Sequence, residues 1–298
     1  MQDRIINMNR RHFLRLGALS APIALAACSP LRVINAVVPD DGVDVIADLA
    51  YGTAPRQMLD IYRPKATMQP LPVVLFFYGG SWKNGRRADY AFVGHSLAQQ
   101  GFLCAVADYR VYPEVTFPGF VEDGASAIAW LADNAQAHGG DAGRINLMGH
   151  SAGAHIAAML ALDARYLDAT EKGLDVLGRW VGLAGPYAFY PSEVRSVRDI
   201  FAQLPEDRAR PITFAGPGAP PALLLHGTAD RTVYPWNSVH LSNTLQEHNG
   251  TAAVKIYDGI GHAPLVLSLA PPFTGIASTL EHSVAFLKFG SMPELVAA

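Results

Sequence analysis

The sequence predicts an α/β protein with a mostly parallel central sheet, helices on both faces and a small lid insertion. Three observations carry this. Short β-rich apolar runs alternate with helical patterns along most of the 298 residues. The run Pro72-Val73-Val74-Leu75-Phe76-Phe77 is continuously apolar, as in a strand covered on both faces. Parallel strands also need crossover connections of the length that separates these runs, and helices supply them. In chain order, 43–47 and 58–62 read as edge strands, each ended by a turn, and 72–77 as the central strand. A helix over 90–100, a strand over 102–107, a helix over 121–137 and a strand over 145–148 follow. Helix 152–162, strands 180–183 and 222–225, helix 236–248, strand 253–257 and helix 276–288 complete the alternation. The stretch 185–220 breaks the rhythm with a Gly/Pro-rich insertion between two core strands, the usual place of a lid or substrate-shaping element.

Composition narrows the class. Half the residues are hydrophobic and 16% are charged, 23 Lys plus Arg against 26 Asp plus Glu for a net charge of −3, which excludes a disordered chain. No basic cluster marks a nucleic-acid surface. Two cysteines, Cys28 and Cys104, are too few for a disulfide framework. No H-E-x-x-H or C-x-x-C spacing points to a metal, and no cofactor motif is present.

The N-terminus has the order of a targeting segment. Asn9-Arg10-Arg11-His12-Phe13-Leu14-Arg15 is followed by an apolar stretch interrupted by Gly17 and Pro22. That stretch is too short for a ~30 Å hydrocarbon layer, which takes about 20 residues. The arginine pair resembles a twin-arginine export signal, and Leu25-Ala26-Ala27-Cys28 resembles a bacterial lipobox. The resemblance implies a signal peptide over 1–27, lipidation of Cys28, a tether over 28–43 and a membrane-anchored lipoprotein of the bacterial cell envelope, with the folded domain over 44–298. Cys104, in mid-strand, is expected to be a buried thiol, and an acylated Cys28 would leave it no intramolecular partner.

Chemistry gathers where strands end. Gly149-His150-Ser151-Ala152-Gly153 is a G-x-S-x-G pattern between an apolar strand and an alanine-rich helix, the context in which a sharp turn presents a serine hydroxyl as nucleophile. Ala152 opens the helix, so its amide lacks an intrahelical partner and is free to donate to an oxyanion. A serine hydroxyl needs a base and a carboxylate that holds the base in the right tautomer. Asp230 and His262 each follow a predicted strand and supply them, with Asp258 as the competing acid. His150, His155 and His226 read as packed or surface groups. The loop Tyr78-Gly79-Gly80-Ser81-Trp82 offers further amides, from Gly80 and Ser81, to an oxyanion.

Together with Leu59-Asp60-Ile61-Tyr62-Arg63-Pro64, Ala107-Asp108-Tyr109-Arg110 and His226-Gly227-Thr228-Ala229-Asp230, these motifs resemble the alpha/beta hydrolase superfamily. Within it they resemble the secreted carboxylesterases that include acetyl-xylan, feruloyl esterase-like and kynurenine formamidase-like enzymes. The resemblance implies a Ser151–His262–Asp230 serine esterase with no cofactor and a small-molecule ester as substrate. An arylformamide substrate, or an idle binding lipoprotein on the same fold, are the alternatives. One departure stands out: such enzymes commonly carry histidine before the Gly-Gly pair, where this chain has Tyr78, whose hydroxyl can also donate and accept in support of the loop. Trp82, Tyr187 and Trp236 are the expected substrate-pocket residues.

Overall fold

A computed structural model describes residues 30–67 and 69–291 of the chain. The expected signal segment and Cys28 lie outside the described residues. Eight strands form one sheet: β1 (Val43–Ala50), β2 (Met58–Pro64), β3 (Leu71–Phe77), β4 (Leu103–Ala107), β5 (Gly140–His150), β6 (Leu177–Leu183), β7 (Ala222–Gly227) and β8 (Ala252–Tyr257). Their order is β1-β2-β4-β3-β5-β6-β7-β8, antiparallel from β1 through β2 to β4 and parallel from there to β8. Side chains alternate between faces along a strand, and Val73 to Phe77 are all fully buried, so helices must cover both faces.

The helices are α1 (Pro30–Val37), α2 (Ala91–Gln99), α3 (Gly119–Asn134), α4 (Ala152–Leu162), the single turns α5 (Arg165–Asp168) and α6 (Arg198–Phe201), then α7 (Trp236–Glu247), α8 (His262–Leu267) and α9 (Thr279–Phe289). Helix α4 is buried along its whole length, packed on β3, β5, β6 and α3. Its Ala-rich, nearly uniform apolar surface suits such a position, because a helix enclosed on all sides needs no polar face. Among the described residues no helix is long and apolar enough to cross a membrane.

Two readings of the sequence need correction. Strand β2 is not an edge strand: it pairs β1 on one side and β4 on the other, and Leu59 to Tyr62 are buried. Within it Asp60 is buried in an ion-pair network with Arg87. The stretch expected to be a tether carries α1. Ile34 and Val38 bury at i, i+4 spacing, while the Asn35 side chain donates to the Ala88 carbonyl at 2.8 Å and accepts from the Phe92 amide at 2.9 Å. Helix α8, starting at His262, was also not foreseen. Cys104 lies buried in β4 with a free thiol, which burial pushes well above its ordinary pKa.

The insertion between β6 and β7 is a set of short turns fastened at several points. Phe117 donates its amide to the Ile200 carbonyl at 2.9 Å, Ile212 donates to Tyr187 at 3.0 Å, and Arg210 reaches the Phe189 and Ala188 carbonyls at 3.0 and 2.9 Å. Helix α4 holds it too: the His155 ring Nε2 lies 2.8 Å from the Ala209 carbonyl.

Candidate active site

Strands β3, β5, β7 and β8 run parallel, so the loops that leave their C-terminal ends meet at one edge of the sheet. Tyr78, Ser151, Asp230 and His262 all lie on those loops or just beyond them.

Ser151 turns the chain from β5 into α4 with φ 55° and ψ −118°, a left-handed geometry rare outside glycine. Its amide donates to the Leu183 carbonyl at 2.9 Å, which anchors the strained residue to the next strand. The flanking glycines are required by space. A Cβ on Gly149 would lie 2.3 Å from the Gly153 carbonyl oxygen, and one on Gly153 would lie 2.0 Å from that of Phe77. Ser151 is 9% exposed, enclosed yet reachable.

His262 opens α8 and its Nδ1 lies 2.6 Å from Asp230 Oδ2. A carboxylate there accepts, so the proton is on Nδ1 and Nε2 carries the lone pair. Asp230 accepts also from the Thr232 and Val233 amides at 2.8 and 2.9 Å, and His226 Nε2 lies 3.3 Å from it. Burial pushes the Asp230 carboxyl up, but the hydrogen bonds from His226, His262 and Val233 outweigh this and hold it well below its ordinary range. Among the described residues Ser151 makes no hydrogen bond to His262; contacts of that kind tighten on substrate binding. Asp258, the competing acid, is exposed and accepts from the Thr228 hydroxyl at 3.0 Å, the role of a turn residue.

The loop after β3 brings Gly79 against the nucleophile: a Cβ there would lie 3.0 Å from Ser151 Cβ. Gly80, Ser81 and Trp82 all have positive φ, which folds the backbone back on itself. Among the described residues the amides of Gly80, Ser81 and Ala152 donate to no other backbone or side-chain group. Tyr78 is fully buried beneath this loop. Its hydroxyl donates to Asp108 Oδ1 at 2.7 Å and accepts from Arg56 Nη2 at 2.8 Å, and its ring stacks between Tyr90 and Tyr109 with centroids 5.5 and 4.7 Å away.

Sequence reasoning missed the charges that hold Tyr78. Asp108 receives Arg87 through its amide at 2.7 Å and its guanidinium at 2.6 Å, and Arg87 also pairs with Asp60 at 2.8 Å and with Asp48. The traces of this in the sequence are the Leu59-Asp60-Ile61-Tyr62-Arg63-Pro64 and Ala107-Asp108-Tyr109-Arg110 segments.

A cavity of about 540 Å³ opens beside Ser81. Trp82, Phe189, Tyr190, Val194, Val233, Tyr234 and Trp236 form its apolar lining; among the described residues Glu193 is its one carboxylate and no lysine or arginine lines it. Trp82 and Trp236, two of the expected substrate-pocket residues, line this cavity. Tyr187 does not: it is fully buried, its ring packed edge-on to Trp180 inside the core. Aromatic residues of the insertion divide between core and cavity, and spacing alone does not reveal this. No group of three His, Cys, Asp or Glu side chains able to hold a metal occurs among the described residues.

Residues 59–176, which span Tyr78 and Ser151, match the family described as BD-FAE. Residues 203–288, which span Asp230 and His262, match the prolyl oligopeptidase family. Among solved structures, esterase B from Lactobacillus rhamnosis superposes with a TM-score of 0.72 at 20% identity, over 86% of this chain and 90% of that one. A truncated carbohydrate esterase from gut microbiota also gives a TM-score of 0.72, at 19% identity, over 84% and 98%. The chain has the alpha/beta-hydrolase fold.

Similar sequences include a probable isoprenylcysteine alpha-carbonyl methylesterase of Oryza sativa subsp. japonica, 31% identical over 75% of this chain and 59% of the relative. Esterase LipC of Mycobacterium tuberculosis is 36% identical over 60% of this chain and 50% of the relative. The chain therefore spans between half and three fifths of the length of these two relatives.

Proposed function

We propose that this alpha/beta hydrolase cleaves carboxylic esters of small substrates through an acyl-enzyme on Ser151. Ser151 Oγ attacks the acyl carbon while His262 Nε2 takes its proton. The oxygen that becomes anionic is held by the amides of Gly80, Ser81 and Ala152. Collapse breaks the ester C–O bond, and the leaving alcohol receives the proton from His262. Water then attacks the acyl-enzyme with His262 again as base, releasing the acid and restoring Ser151. Asp230 keeps the imidazole in the Nδ1–H tautomer and stabilises the imidazolium.

The observation that carries this reading is the 2.6 Å Asp230–His262 pair at the sheet edge where the strained Ser151 turn also emerges. The two similar proteins, a probable methylesterase and an esterase, support it. The aromatic cavity, with one carboxylate and no basic lining residue among the described residues, favours esters whose acyl or alcohol group is uncharged and apolar or aryl. Tyr78 takes over the loop support that histidine gives in enzymes this chain resembles. The Arg10-Arg11 pair and Leu25-Ala26-Ala27-Cys28 support export and a lipid anchor at Cys28, placing the enzyme on the bacterial cell envelope.

The test is hydrolysis of p-nitrophenyl acetate and butyrate by the full chain and by Ser151→Ala. Turnover by the parent and its loss in the variant is the expected result. A Ser151→Ala protein as active as its parent overturns the assignment.

A further inference from the structure

We propose that His150, the residue before the nucleophile, is a positioning residue whose single imidazole locks the base, the nucleophile turn and the oxyanion loop in mutual register. The proposal rests on the reading of Ser151 and His262 given above.

Three contacts carry it. First, His150 Nε2 lies 3.2 Å from the backbone carbonyl of His262. A carbonyl oxygen only accepts, so Nε2 bears the proton and donates, tying the end of β5 to the first residue of α8. Second, the His150 and His262 rings lie against each other, centroids 4.7 Å apart and inclined by 44°. The base is therefore braced on one side by Asp230 through Nδ1 and across its face by His150. Third, a Cβ on Gly79 would sit 2.9 Å from His150 Nδ1, so the oxyanion loop packs directly on the other ring nitrogen.

Chemistry at Nδ1 explains why the ring is suited to this place. That nitrogen is buried and has no hydrogen-bond partner among the described residues, so a second proton there would have no acceptor. His150 is thereby held neutral, and burial together with the neighbouring His262 keeps it so. A neutral brace matters because His262 must become an imidazolium during each half-reaction, and a second cation at van der Waals distance would oppose that. The contact also bridges loops that are distant in sequence: residues 150 and 262 belong to different strand–loop units, and the register between Ser151 and the His262 ring depends on both. Asp230 sets the tautomer of the base, while His150 fixes where the base sits relative to the nucleophile.

The experiment compares His150→Gln, whose terminal amide nitrogen reaches the Nε2 position and still donates, with His150→Asn and His150→Leu, which do not reach or do not donate. In full-length protein the Asn and Leu variants are expected to lose on the order of 10- to 100-fold in kcat, the cost of misplacing a reacting group by about 1 Å, with KM within about twofold of the parent. Gln is expected to recover most of the loss. Equal kcat in Gln and Asn, or parent-like kcat in Leu, overturns the proposal. Should Leu fail to fold, the Gln–Asn comparison still decides.

A second readout needs no turnover. The low-field proton resonance of His262 Nδ1, shared with Asp230, is expected to persist in Gln and to broaden away in Asn; persistence in both contradicts the proposal. An inactive parent would count against the esterase reading, whereas an active parent indifferent to His150 counts only against this one.

Discussion

Replacing Tyr78 with phenylalanine deletes one oxygen from beneath the oxyanion loop and leaves the ring stack intact. The lost hydroxyl donates to Asp108 at 2.7 Å and accepts from Arg56 at 2.8 Å, so two hydrogen bonds to charged groups disappear. Each such bond contributes about 1.5–3 kcal/mol net, which would set the loss near 3–6 kcal/mol if the partners were stranded. They are not stranded. Asp108 keeps the Arg87 amide and guanidinium, and Arg56 keeps the Gly85 carbonyl at 2.6 Å. The expected loss is therefore about 2–3 kcal/mol of unfolding free energy. Loss of a whole oxyanion donor costs on the order of 10²- to 10³-fold in rate, and a shifted loop keeps its donors, so kcat should fall roughly 10- to 100-fold. KM should change little, because those donors act mainly in the transition state. Urea unfolding and steady-state hydrolysis of p-nitrophenyl acetate measure both effects. A Tyr78→Phe protein with parental kcat and a stability loss below about 0.5 kcal/mol would refute the reasoning that this hydroxyl supports the loop.

Other substitutions test other parts of the site. Asp230→Asn places an amide against His262 Nδ1 and favours the wrong tautomer; kcat should drop by about 10⁴-fold with the fold retained, checked by stopped assays at high enzyme concentration. His155 is held neutral by burial, with a pKa near 4 against an ordinary 6.5. The unfolded chain takes up that proton first, so stability falls as pH drops from about 6.5 towards 4, by up to about 3 kcal/mol. His155→Leu should therefore narrow the gap between denaturation midpoints at pH 7 and pH 4.5, and an unchanged gap argues against it. Trp236, 40% exposed on the cavity rim, is expected to bind substrate more than to catalyse. Trp236→Ala should raise KM for aryl and butyryl esters several-fold while leaving kcat for acetate near parental, and equal effects on all esters would place it outside the binding surface.

Much of this was legible in the sequence because it depends on local rules. The apolar run at 72–77, the elbow glycines around Ser151 and the strand-end positions of Asp230 and His262 follow from side-chain period and from space that admits no Cβ. What was illegible depends on who neighbours whom. Met58–Pro64 looks the same whether it lies at an edge or inside the sheet, and only pairing with Leu103–Ala107 decides it. Tyr187 and Tyr190 are both insertion aromatics three residues apart, yet the first packs on Trp180 and the second lines the cavity. In the sequence His150 and His226 read as packed or surface groups. They are packed, but against His262 and Asp230, and that distinction exists only once the strand ends are brought together.

The central claim is that Ser151 is an activated nucleophile, and active-site labelling of the full-length protein addresses it most directly. A fluorophosphonate probe followed by peptide mass spectrometry is expected to give one adduct per chain, on Ser151, with ester hydrolysis lost in proportion to labelling. Adduct formation at another residue, or full hydrolysis after stoichiometric labelling of Ser151, would contradict the account.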